Sequence, residues 1–274
     1  MRKLLATGIA AGAFIAVAAI TPANAAEGDA QLSVLHGIPG LTVDVYVNGD
    51  LTLDDFTPGT LAGPLPLPAG SYSVALTAAD AADASAPVLG PIDLPLEAGG
   101  NYTAVAHLTE AGDPSATLFN NDISMLEAGQ GRLTVRHVAA APAVDVLAGG
   151  TAVITDLSNP NEQVLTLPAG TVSASVAATG TTDPVIGPAD VNVAEGVNTI
   201  AYAWGSLADE NLTLAVQTID GLHSNPGSIP AGSAGLVATN KPVDSTGLWI
   251  GAGLLGLLAA AAGGVVAVRA QARR

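Results

Sequence analysis

The 274-residue chain contains no cysteine. Disulfide bracing, thiol catalysis and cysteine-ligated zinc are therefore excluded, and any folding unit must hold itself together by burial alone. Aromatic residues make up only 3%, which leaves few rings for the exposed platforms that sugar recognition uses. Positive charge is scarce, with eight Lys and Arg against 24 Asp and Glu. Five of those eight lie at the extreme ends, so the segment between them keeps only Arg132, Arg136 and Lys241 and carries a balance near −21. Such a field repels nucleic acid and anionic surfaces. No serine sits in a nucleophile-elbow context, and no third group completes a catalytic triad.

What the chain does have is a long internal repeat. Leu32 to His36, Pro39, Val43-Asp44-Val45 and Gly49 return as Leu133 to His137, Pro142, Val144-Asp145-Val146 and Gly150. Leu67-Pro68-Ala69-Gly70 returns as Leu167 to Gly170, and Val88-Leu89-Gly90-Pro91 as Val185 to Pro188. The offset drifts from 101 to 100 to 97, so the copies differ by small loop deletions. A unit of about a hundred residues suits two tandem domains rather than a solenoid.

The ends read as addresses. A basic start at Arg2-Lys3, an apolar run from Leu4 to Ile20 and the Ala23-Asn24-Ala25 site form a secretory signal, with cleavage expected at Ala25 or Ala26. Leu248 to Val268 is uncharged and is followed by Arg269, Arg273 and Arg274. At about 1.5 Å per residue it spans roughly 31 Å, enough for a bilayer core, with the arginines cytoplasmic. This tail also resembles a sortase sorting signal, but of that signal's box only Thr246-Gly247 is present. Membrane retention is the expectation, with cell-wall association as the alternative.

Between the ends the apolar pattern has a period of two, as in Thr42–Val47, Ser71–Leu76, Asn101–Ala106 and Thr213–Gln217. Gly, Pro, Asn and Asp turn signals recur about every ten residues. The expected fold class is all-β, two tandem immunoglobulin-like β-sandwich domains of about seven strands each. Thr77 to Ala84 is Ala-rich and expected to be a loop. The organisation reads as signal peptide 1–26, first domain 27–128, second domain 129–220, Gly/Pro/Ser-rich stalk 221–247, transmembrane helix 248–268 and basic tail 269–274.

The order His then Pro (His-x-x-x-x-Pro in the second copy), then Val-Asp-Val and Gly, then Leu-Pro-Ala-Gly resembles the bacterial domain-of-unknown-function family numbered 4397, over residues 30–125 and again over 131–220. The resemblance implies an exported surface protein with the domain in tandem, and no activity. The first copy has Leu35 where the second has Arg136 before the histidine.

His36 with Asp44 and His137 with Asp145 are the ionisable pairs repeated in both copies. One His and one Asp supply too few ligands for a metal. The expected role is a clip, the imidazole bonding the carboxylate or a loop carbonyl to fix the first hairpin. Asp54-Asp55 and Asn120-Asn121-Asp122 lack the spacing of a calcium loop and read as turn formers. His107 aligns with Trp204, and His223 falls in the stalk. No catalytic residue, metal or cofactor is expected. The expected function is a non-catalytic, single-pass envelope protein whose ectodomain makes structural or adhesive contacts with wall or surface proteins. The alternatives are a glycan or small-ligand module and, more remotely, a hydrolase built on the His/Asp pairs.

Overall fold

The structure, a computed structural model, describes residues 28–223. The expected signal segment, transmembrane segment and most of the expected stalk lie outside the described residues. Among the described residues no helix is long and apolar enough to cross a membrane, and the fold is built from strands alone.

The first copy contains β1 (Ala30–Gly37), β2 (Val43–Val47), β3 (Asp50–Phe56), β4 (Leu61–Leu67), β5 (Gly70–Ala78), β6 (Leu89–Leu96), β7 (Asn101–Leu108) and β8 (Pro114–Asn120). The second contains β9 (Gln130–Ala140), β10 (Val144–Ala148), β11 (Thr151–Leu157), β12 (Glu162–Pro168), β13 (Gly170–Ala178), β14 (Pro184–Val193), β15 (Asn198–Ser206) and β16 (Thr213–Ile219). Each copy has eight strands where about seven were expected, and Thr77 belongs to β5 rather than to a loop. Strand orders β4-β1-β7-β8 and β3-β2-β5-β6 are repeated strand for strand as β12-β9-β15-β16 and β11-β10-β13-β14. In both copies the central pair, β1/β7 or β9/β15, is parallel.

Alternation explains the layers. In the second copy Leu133, Val135 and Ala203 face one way and meet Val144, Val146, Val176 and Val191 of the other sheet. In the first, Leu32, Tyr102 and Ala104 meet Leu94 and Leu96, while Val43, Val45 and Leu76 close over Ala106. Each such buried aliphatic side chain contributes roughly 1.5–3 kcal/mol.

Two irregularities recur. Between β2 and β3 the register shifts so that Asp54 and Asp55 together oppose Asp44, a bulge repeated as Thr155-Asp156 opposite Asp145. Asp55 and Asp156 take left-handed φ values of 50° and 57°. Between β5 and β6 the chain folds tightly around Gly90 (φ 95°), where a Cβ would stand 2.6 Å from the Val74 carbonyl oxygen; Gly187 is its counterpart at 2.9 Å from Ala174. These are the glycines of the repeated Gly-Pro motif.

The outward faces of the two parallel-paired sheets are not left to solvent. Leu35, Val105 and Phe119 of the first copy pack with Val138, Ile200 and Tyr202 of the second, within one compact unit. Trp204 lies over Gly37 and Gly59 of the first copy. Gly221 to His223 were expected in the stalk but are docked. Leu222 is buried and exchanges backbone bonds with Leu126 and Gly196.

Candidate functional site

The repeated His and Asp residues bond different backbone groups and not each other. Each histidine closes the inner face of β1 or β9 at its end. His36 Nε2 donates to the Leu41 carbonyl at 2.6 Å and His137 Nε2 to the Pro142 carbonyl at 3.0 Å, which fixes the tautomer in both. Asp44 Oδ1 accepts the amide of Asp55 and Asp145 Oδ1 the amide of Asp156, each at 2.9 Å. The imidazoles thus pin the first loop of each copy, and the carboxylates cap the β3 and β11 bulges. His36 also stacks on Phe56, ring centroids 5.8 Å apart.

Burial lowers the pKa of His36, His107 and His137 below 6.5 even though backbone carbonyls oppose the shift. At neutral pH these rings are uncharged, as a packed imidazole must be. Asp145 is held below the usual carboxylate range by the amides of Gly180 and Asp156.

The two bulges differ in chemistry. In the second copy both Asp145 oxygens take amides, Oδ2 from Gly180 at 2.9 Å. In the first, the loop after β5 is three residues longer by the repeat offset. Asp44 there shares its surroundings with two more carboxylates, Asp54 and Asp55, the three ligand oxygens lying within 4.8 Å of one another. Asp44 is buried; the other two face solvent.

The densest polar constellation lies between the copies. Arg136, 1% exposed, donates from Nε to Glu162 at 2.7 Å, from Nη1 to the Tyr202 hydroxyl at 2.7 Å and from Nη2 to Asn121 Oδ1 at 2.8 Å. Its guanidinium lies 4.2 Å from the Phe119 ring centroid. Tyr202 donates on to Gln217 Oε1 at 2.6 Å, Thr103 donates to the same oxygen at 3.0 Å, and Gln217 Nε2 reaches Ser33 at 3.2 Å. Asn121 Nδ2 donates to Asn101 at 2.7 Å. Asn121 is therefore a buried junction, not a turn former. Asn159 joins in by donating to the carbonyls of Leu108 and Ala139. His107 lies on the same face, bonded to Leu108 and Thr117.

Sequence reasoning missed this network. A signal was present: Ile200, Tyr202 and Trp204 alternate with Ala201 and Ala203, so β15 is apolar on both faces, which marks a strand covered on both sides. Few rings are free to serve as sugar platforms: Tyr46, Tyr102, Tyr202, Phe56 and Phe119 are all buried. An apolar recess of about 230 Å³ lies in the second copy and is lined by Val153, Leu165, Leu167 and Val172 among others.

Comparison with known proteins gives a match to one family model. The family model described as Domain of unknown function (DUF4397) matches residues 30–147, the whole of the first copy and the first two strands of the second. No curated protein matches the chain. One solved structure, the Bacillus anthracis TIE protein, is similar over 70% of this chain at 15% identity with a TM-score of 0.21. The chain spans about a third of that protein, 34% of its length, and a score so low carries no argument.

Proposed function

We propose that the chain, whose residues 30–147 match this family model, is a non-catalytic cell-envelope protein that presents two fused immunoglobulin-like sandwiches for structural or adhesive contact. The signal segment delivers it outside the membrane, and residues 248–268 hold it there. The observation that carries this reading is the use made of the polar residues. The repeated His and Asp side chains bond loop and bulge backbone, and Arg136, Tyr202 and Gln217 join the copies. This is the distribution expected of a body built to keep its shape. The acidic surface suits a partner of neutral or positive character.

Protease shaving of intact cells tests the placement. The segment between the signal and residue 248 should be accessible from outside, and deletion of residues 248–274 should release the protein into the medium. Protection from the protease in intact cells would contradict the proposal. A glycan array tests the non-catalytic contact role against the glycan alternative, and saturable binding to one sugar class would favour a lectin-like module. For the hydrolase alternative, His137→Ala should lower the melting temperature; loss of an enzymatic activity at unchanged melting temperature would reverse the assignment.

A further inference from the structure

The bulge of the first copy holds three carboxylates that no protein cation neutralises. Arg132 and Arg136 are the only Lys or Arg side chains among residues 28–223, and they pair with Asp122 and Glu162. Beside the carboxylates stands a second, independent feature. Thr77 is fully buried, and its hydroxyl has no hydrogen-bond partner. Thr77 is the direct antiparallel partner of Asp44 with no register shift between them. The two side chains therefore leave the same face of the sheet, with Cβ atoms roughly 5 Å apart. Their neighbours Val43, Val45 and Leu76 point the other way, into the core. The orphan hydroxyl is thus aimed at the carboxylate group.

The second copy acts as an internal control. Thr155 replaces Asp54, Ala177 replaces Thr77, and the Gly180 amide takes the free oxygen of Asp145. The extra carboxylate and the strand-borne hydroxyl are lost together, and the Gly180 amide and the Thr179 hydroxyl hold Asp145 instead.

We propose that Asp44, Asp54, Asp55 and the Thr77 hydroxyl form a binding site for a hard divalent cation of the calcium class, present in the first copy alone. All four donors are oxygens, as such ions require, and the two exposed aspartates leave an entry path and room for water ligands. Calcium fits better than magnesium, because a bulged strand edge offers irregular geometry rather than an octahedron.

Calorimetric titration of the full chain in detergent with calcium chloride, alongside thermal melts, tests the site. One calcium should bind per chain at a dissociation constant of about 0.1–1 mM, the range of extracellular modules, and should raise the melting temperature. Asp54→Asn, at an exposed position, should fold normally and weaken binding at least tenfold. Asp55→Asn should do the same, since asparagine tolerates the left-handed backbone there. Asp156→Asn in the second copy should leave binding unchanged. Absence of saturable binding up to 10 mM calcium, or equal affinity in Asp54→Asn, overturns the proposal. Thr77→Val separates the hydroxyl from the carboxylates: it should weaken binding without lowering calcium-free stability, and unchanged affinity removes Thr77 from the site.

Discussion

Arg136 occupies the position that Leu35 holds in the first copy, and that one exchange lets a buried face carry a charge. The guanidinium is satisfied by a carboxylate, a phenol, an amide oxygen and a ring face, so its desolvation is offset by hydrogen bonds. Removing it leaves the Glu162 carboxylate without its cation and takes one donor each from the buried Tyr202 hydroxyl and Asn121 Oδ1. Arg136→Ala should destabilise the fold by about 3 kcal/mol, read as a shift in the urea midpoint. The buried histidines set a pH dependence. Their folded pKa values are depressed, so the unfolded chain binds more protons below 6.5. Their contribution to stability is complete above the unfolded pKa and is lost as pH falls through and below it. The melting temperature should therefore drop between pH 7 and pH 5, and the NMR titrations of the three imidazoles should have midpoints below 6.5. Flat stability across that window would contradict the burial argument.

At the scale of elements, the repeated Gly-Pro motif and the repeated Asn/Gly turn make different demands. Gly90 needs both a positive φ and the absence of a Cβ, whereas Gly49, also at positive φ (90°), has nothing within 4 Å. Gly49→Ala should cost about 1 kcal/mol from backbone strain alone, and Gly90→Ala distinctly more, about 3 kcal/mol, because the Val74 carbonyl must move. Thermal melts of the two variants decide this, and equal losses would show that the close approach is unimportant. The strands themselves were readable from alternation in residues such as Thr42–Val47, and turn residues set their ends. The parallel β1/β7 and β9/β15 pairs were not, because pairing between strands about 70 residues apart leaves no local trace. Nor was the Asp54-Asp55 bulge, since one extra residue in a strand looks in sequence like any other. The histidine's loop-carbonyl contact was among the expected clips. The aspartate's bulge amide was not, because its donor lies 11 residues away and depends on register.

At the scale of the whole molecule, the copies are joined through a buried apolar cluster and a polar chain from Ser33 to Arg136. They should unfold in one transition, with calorimetric and van't Hoff enthalpies equal for the described region. Gln217→Ala, which removes the shared acceptor of Thr103 and Tyr202, should broaden or split that transition. Two resolved transitions in the unmodified chain would mean that the copies are independent.

The surfaces joining the copies are equivalent ones. Leu35 corresponds to Arg136, Val105 to Tyr202 and His107 to Trp204, and all of these lie on or beside the contact. Corresponding patches of the two copies thus cover each other. A further copy appended to the chain would find this patch already covered and would need a different joint.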